Sequence, residues 1–272
     1  LKNLTIFSNG EAMKTFAAVL YKPNSPQHIE SLDLIPPQAK EVLVKVAASG
    51  VCHSDWHVIS GATAYPTPTV LGHEGSGVVQ EIGADVSIVR EGDHVVFNWS
   101  PSCGRCFYCL DDRPNLCPTY LKPLWAGHLL DGSTRLSKNG NKIYHLSGIS
   151  CNAQYAVIPE CCCVPLSKKV PLEVAALIGC AVTTGVGAAI YTARIKPGSS
   201  VAVFGAGGVG LCIIMGAQLA GAACVIAVDK TQIKLTLART FGANYGLISG
   251  AGVCEAIQGL TEGRGADYVF DA

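Results

Sequence analysis

The chain has 272 residues, 49% apolar and 15% charged, with 20 Lys and Arg set against 20 Asp and Glu. This composition excludes an intrinsically disordered chain, and the balanced charge provides neither a basic face for nucleic acid nor a like-charge tail. The length accommodates two domains with sizeable cores.

Thirteen cysteines are many. A secreted disulfide scaffold is shorter and less apolar, so the count points to a reduced, cytoplasmic protein that uses cysteines for metal. The most apolar stretch, Val174 to Tyr191, is interrupted by Gly179, Gly185, Gly187 and two threonines. It reads as a buried helix and its entry, with no membrane partner.

Residues 1–12 differ from the rest, and Met13 opens a strand-like run to Leu20. The expectation is that Met13 is the native start and 1–12 a non-native extension. From Phe16 to about Val96, short strands alternate with Gly, Pro and Asp turns, as at Val42–Ala47, Gly77–Ile82 and His94–Phe97. That spacing predicts a barrel-like β domain.

Val51-Cys52-His53-Ser54-Asp55-Trp56-His57 comes just after the first of these runs, Val42–Ala47. It concentrates a thiol, two imidazoles, a hydroxyl and a carboxylate in seven residues. Cys52 as thiolate is a zinc ligand, and Ser54 and His57 are able to hand on a proton. Taken alone, the segment fits equally a polar turn with a buried thiol. In Leu71-Gly72-His73-Glu74-Gly75, the glycines fix His73 in a tight place and Glu74 can tune a metal from outside its ligand sphere. A lone His here is more often a core residue; paired with Cys52, it reads as a ligand.

Cys103, Cys106, Cys109 and Cys117 have the spacing C-x2-C-x2-C-x7-C. Four thiolates with no open position describe a structural tetrahedral zinc. Iron–sulfur clusters also use four cysteines, but their bacterial spacing ends on a three-residue gap and Cys-Pro, which Cys117-Pro118 matches only in part. Residues 118–150 read as loop, with turns at Asp131-Gly132 and Asn139-Gly140 and with His128 and His145 as surface or loop side chains. Cys161, Cys162 and Cys163 read as consecutive strand residues pointing to alternate faces, unable to share one ion. Pro171–Gly179 predicts a helix followed by Cys180, and Thr183-Thr184-Gly185 opens another to about Ala193.

From Ser200 the pattern becomes strand, glycine turn and helix. Ser200–Phe204 leads into Gly205-Ala206-Gly207-Gly208-Val209-Gly210, with a helix from Leu211 to Ala220 and a second strand from Cys224 that ends in Asp229. This is a dinucleotide fingerprint in its required context. Gly205 allows the turn, Gly207 lets a pyrophosphate approach, and Gly210 lets helix pack on strand. Asp229 suits ribose hydroxyls and repels a 2′-phosphate, which favours NAD. Helices at Thr231–Phe241 and Val253–Leu260 and strands at Tyr245–Ile248 and Asp267–Phe270 follow, about half of a doubly wound domain.

With Cys52, His73, the four-cysteine lobe, Cys180 and the fingerprint in this order, the chain resembles the zinc-containing medium-chain alcohol dehydrogenases, liver-type branch, from Phe16 to Ala272. The resemblance implies an α/β plus β architecture. A GroES-like β-rich catalytic domain spans 13–181, with the zinc lobe at about 98–120. It is followed at 182–272 by a doubly wound Rossmann coenzyme domain, incomplete at its C-terminus. It implies two zinc ions per chain and NAD. Cys52, His73 and Cys180 match the catalytic zinc ligands, and Cys103, Cys106, Cys109 and Cys117 the structural ones. Ser54 and His57 match the proton relay, and Asp55 and Glu74 the supporting carboxylates.

His53 stands where many members carry an Arg against the coenzyme diphosphate, which implies weaker or pH-dependent binding. Thr184 matches a nicotinamide contact, and Asp229 and Lys234 match adenosine-ribose contacts. Thr63, Trp99 and Leu146 fall at pocket positions, with Trp99 bulkier than the usual Phe. The implied activity is reversible oxidation of a small alcohol to an aldehyde or ketone by a cytoplasmic protein that is a homodimer at full length. Two alternatives remain: an S-(hydroxymethyl)glutathione dehydrogenase, whose substrate-binding acidic residue and Arg are replaced here by Thr63 and Leu121, and an inactive fragment or non-enzymatic relative.

Overall fold

A computed structural model describes residues 11–272. Most of the expected 1–12 extension therefore lies outside the described residues. The chain divides into two compact units at Cys180 and Ala181.

The first unit is built on strands β1 (Met13–Leu20), β2 (His28–Leu34), β3 (Glu41–Ser49), β4 (Thr69–Val70), β5 (Gly75–Ile82), β6 (His94–Phe97), β7 (Leu136–Lys138), β8 (Asn141–His145), β9 (Tyr155–Pro159) and β10 (Cys163–Leu166). Strands β1-β2-β7-β8-β4 close into a barrel, and β10-β6-β5-β3-β9 form a second sheet. Alternation of side chains along β3 divides the interior. Leu43 enters the cluster with Val19, Leu32 and Ile143, whereas Val42 and Val44 enter the one with Val79, Val95 and Phe97. Four short helices complete the unit: α1 (His53–Ile59), α2 (Phe107–Leu110), α3 (Pro118–Trp125) and α4 (Leu172–Ala175).

The second unit opens on α5 (Ala181–Gly187) and carries β11 (Ser200–Phe204), α6 (Gly208–Leu219), β12 (Cys224–Asp229), α7 (Gln232–Thr240), β13 (Tyr245–Ile248), α8 (Val253–Leu260) and β14 (Tyr268–Asp271). The four strands are parallel, in the order β13-β12-β11-β14. Val201, Val203, Val225 and Ala227 pack on one face, and Ala202, Ile226 and Val228 on the other. Burial on both faces explains why these strands read as unbroken apolar runs.

Several expectations change. The stretch 118–150 is more ordered than loop. Pro118 starts α3, and Asn139-Gly140 is the turn of the β7–β8 hairpin, with φ of 50° and 77° at the two central residues, as a type I′ turn requires. His145 is not a surface side chain. It is 1% exposed, and its Nε2 accepts the Arg135 N–H at 3.0 Å. Cys161 and Cys162 lie in a 3-10 turn, Glu160–Cys162, and only Cys163 is in a strand. The expected Pro171–Gly179 helix is α4 followed by a 3-10 segment, Ala176–Gly179, and α5 runs into a π turn at Ala188–Thr192. Among the described residues no single helix is long and apolar enough to cross a membrane.

Candidate functional site

Strand β3 delivers the chain to Cys52, which is the N-cap of α1. Its Sγ accepts the Ser54 N–H at 3.5 Å, and its own N–H donates to Asp55 Oδ2 at 3.2 Å, a reciprocal cap that fixes the thiol at the helix start. Asp55 also accepts the Gly72 N–H on Oδ1 at 3.0 Å, and the same oxygen lies 3.4 Å from His73 Nδ1. One buried carboxylate thus ties the Cys52 segment to the His73 segment. Gly72 has φ 93°, and a Cβ there would lie 2.6 Å from the Asn152 backbone nitrogen, so no other residue lets the chain pass at this point.

The third segment comes from α4 and its 3-10 extension. Ser76 Oγ donates to Leu172 O at 2.6 Å and pins α4 to β5. A Cβ on Gly179 would lie 2.2 Å from Phe97 O, so glycine is what lets the segment press on β6 and present Cys180. Cys52, His73, Glu74 and Cys180 each offer a donor atom, all within 4.8 Å of one another. The sequence placed Glu74 outside the ligand set; the structure brings its carboxylate within the same group.

The electrostatics suit a cation. The Cys180 and His73 side chains lower the Cys52 thiol to about 3. Burial disfavours a charged His73, but Asp55 and Cys52 outweigh it and raise the imidazole to about 10. A thiol pushed down beside an imidazole pushed up marks a place that favours positive charge. Two thiols, an imidazole and a carboxylate in a largely buried cluster are donors that zinc accepts.

The four-thiol lobe forms a second such group. Cys106 Sγ lies 3.4 Å from Cys109 Sγ and 3.9 Å from Cys117 Sγ, and Cys103 Sγ is 3.9 Å from Cys109 Sγ. Zinc–sulfur bonds of about 2.3 Å in a tetrahedron set S···S separations of about 3.8 Å. The cysteines are unbridged, and their separations fit that ion.

A cavity of about 120 Å³ adjoins the mixed cluster within the first unit, lined by Ser54, His57, Val58, Thr63, His73, Trp99, Trp125, Leu146, Ser147 and Cys180. Thr63, Trp99 and Leu146 therefore share one wall system with two of the cluster's side chains. The Trp99 ring stands edge-on to His73, 6.3 Å between centroids. Ser54 and His57 are one helical turn apart on α1 and reach the same cavity. The sequence reading missed Val58, Trp125 and Ser147; nothing in their local pattern marks them. His53 also sits on α1, exposed, its ring 5.3 Å from that of His57.

In the second unit, Gly205 has φ 91°, and a Cβ on Gly210 would lie 1.8 Å from Gly205 O, so strand, turn and helix close up only with glycine at both places. A Cβ on Gly207 or Gly208 would meet no atom within 4 Å. The approach to the amides of Gly208, Val209 and Gly210 at the start of α6 is thus open, and those amides have no intrahelical acceptor. Asp229, 7% exposed at the end of β12, accepts the Ala206 N–H at 2.9 Å and the Thr231 N–H at 3.0 Å, with Lys234 Nζ at 3.5 Å. Burial opposes its charge, but these donors and Lys234 hold the carboxyl at about 2. Thr184 lies in α5.

The pattern of the family described as alcohol dehydrogenase GroES-like domain matches residues 38–168, and that of zinc-binding dehydrogenase matches 208–272. Over 232 residues the chain is 43% identical to the S-(hydroxymethyl)glutathione dehydrogenase of Escherichia coli O1:K1 / APEC, a match covering 85% of this chain and 63% of that protein. The chain thus spans less than two thirds of that relative's length. Among solved structures, an alcohol dehydrogenase zinc-binding domain protein from Burkholderia ambifaria is 36% identical with a TM-score of 0.90, covering 96% of this chain and 71% of the other. Benzyl alcohol dehydrogenase from Acinetobacter calcoaceticus is 34% identical with a TM-score of 0.88, covering 96% and 70%.

Proposed function

Because the chain belongs to the zinc-containing medium-chain alcohol dehydrogenase family, we propose that the full protein is an NAD-dependent oxidoreductase that converts a small alcohol to an aldehyde or ketone and back. The observation that carries this reading is the meeting of Cys52, His73 and Cys180, with Glu74, in a cluster whose His73 and Cys180 line a cavity also lined by Ser54 and His57.

Cys52, His73 and Cys180 would hold the catalytic zinc, with Glu74 close enough to join them. Zinc so held supplies a Lewis acid that makes a bound alcohol more acidic, and NAD supplies the hydride acceptor. The chain's own residues do the rest. Ser54 takes the alcohol proton on Oγ, and His57, one turn on, receives it at the exposed end of α1. Asp55 fixes the orientation of His73 and the position of Gly72. Trp99 and Leu146 shield the reacting carbon from water. Gly207 and the α6 amides bind the diphosphate, and Asp229 with Lys234 binds the adenosine ribose. Cys103, Cys106, Cys109 and Cys117 would hold a second, structural zinc.

A homodimer at full length and a cytoplasmic location belong to the same reading, and sedimentation and cell fractionation test them. A second reading, oxidation of S-(hydroxymethyl)glutathione, draws on the 43% identity to an enzyme of that name. The cavity opposes it, since no ammonium, guanidinium or carboxylate group lines it to meet a charged glutathione moiety. Comparing kcat/KM for S-(hydroxymethyl)glutathione with that for benzyl and short aliphatic alcohols tests the choice. Preference for the neutral alcohols is expected; a strong preference for the glutathione adduct reverses it.

A further inference from the structure

We propose that Ser147 is a substrate-selecting residue, and that the cavity takes a neutral aromatic primary alcohol carrying a second hydrogen-bonding group, such as a ring hydroxyl or methoxy oxygen. The inference rests on the dehydrogenase reading and deepens it.

Ser147 is 5% exposed and lines the cavity. Its φ is 51°, in the left-handed region that a non-glycine residue enters only when its surroundings hold it there. Tyr65 does the holding. Its Oη accepts the Ser147 N–H at 3.2 Å and lies 2.8 Å from both Leu124 O and His145 O, which share its single proton. The Tyr65 ring stands edge-on to Trp125, 6.1 Å between centroids. One phenol thus ties together the segments that contribute Trp125, Leu146 and Ser147 to the cavity wall.

The Ser147 hydroxyl itself makes no hydrogen bond with any described residue. Ser150, three residues on and also at positive φ, shows the contrast. Its Oγ accepts the Leu146 N–H at 3.0 Å and donates to Val70 O at 2.8 Å, so that hydroxyl is committed to the fold. Only water or a ligand entering the cavity can pair the Ser147 hydroxyl. Apart from the metal-cluster side chains, the other walls are Val58, Trp99, Trp125 and Leu146 with the polar Ser54, His57 and Thr63. Two indoles suit a flat ring, and the absence of Lys, Arg, Asp and Glu from the lining suits a neutral one.

The test uses zinc-loaded, full-length protein and ligand pairs that differ in one group of similar size. Alcohol turnover is compared for 4-hydroxybenzyl and 3-methoxybenzyl alcohols against their methyl- and ethyl-substituted counterparts. Binding is compared for the unreactive 4-hydroxybenzamide and 4-methylbenzamide by quenching of tryptophan fluorescence. Wild-type protein is expected to favour the oxygen-bearing member about tenfold in both readouts, the size a single neutral hydrogen bond supports. Ser147→Gly, which suits the left-handed backbone, brings both ratios close to one, and Ser147→Asn, which also tolerates that backbone, retains a preference.

Equal handling of the pairs by wild-type protein, or an undiminished preference in Ser147→Gly, overturns the proposal and leaves the dehydrogenase reading standing. If zinc-loaded protein oxidises none of the alcohols and binds neither amide, both fall together.

Discussion

In the lobe, four thiols come from the short stretch between Cys103 and Cys117 and lie within 4.8 Å of one another, three of the pairs at 3.4–3.9 Å. In the mixed cluster, Cys52, His73, Glu74 and Cys180 come from three segments separated by β strands and reach one another within 4.8 Å, with His73 and Cys180 on a cavity wall. An all-sulfur set with no open side is built to hold the fold; a mixed set beside a cavity leaves a face for chemistry. On the proposed reading the two sets divide metal for stability from metal for reaction, and each can be perturbed alone.

The largest expected effect is that of Cys180→Ala. It removes one donor from the cavity wall, and alcohol oxidation should fall by about three orders of magnitude or more, with one metal lost and the lobe metal retained. Metal analysis beside the assay checks this. Cys106→Ala should act in the opposite sense. The lobe metal is lost and unfolding becomes easier by several kcal/mol, with the mixed cluster still loaded in molecules that fold. Equal loss of both metals in either variant breaks the comparison.

Asp55→Asn should weaken metal binding at the mixed cluster about 10- to 100-fold without touching the lobe, because it loosens His73 and Gly72 rather than removing a ligand. Competition with a chromogenic chelator measures it.

The smallest effect separates acid lability of the fold from that of either metal. Burial, with Arg135 and His128 nearby, lowers His145 from 6.5 to about 3. The unfolded chain therefore binds more protons than the folded one between those values. The stabilisation is complete above pH 6.5 and is lost as pH falls toward 3. At pH 5 the loss is about 2 kcal/mol. Denaturant unfolding at pH 7 and pH 5 should show that loss in wild-type protein and not in His145→Gln.

The two clusters also differ in how far the sequence reveals them. C-x2-C-x2-C-x7-C states its geometry directly, since short gaps leave the thiols little choice but to converge. Cys52, His73 and Cys180 carry no such local statement; their convergence depends on the β3–β5 pairing, the Asp55 tie and the contact of Gly179 with β6, all of them long-range. The fingerprint was legible for the same reason as the lobe, because strand, turn and helix are consecutive. What stayed hidden was tertiary. The left-handed Ser147, the Tyr65 tie and Trp125 on the cavity wall belong to a region whose composition reads as loop. His145 looked exposed because no local pattern announces that Arg135 folds over it.

The proposed chemistry requires that an ion held by the mixed cluster face the cavity. Cobalt placed selectively in that cluster, with zinc left in the lobe, gives a visible spectrum that reports its ligands. Addition of an aromatic alcohol should shift the cobalt bands saturably, with a concentration dependence that matches KM when substrate dissociates faster than it reacts. A spectrum that stays unchanged at saturating alcohol would contradict the assignment of this cluster as the reaction centre.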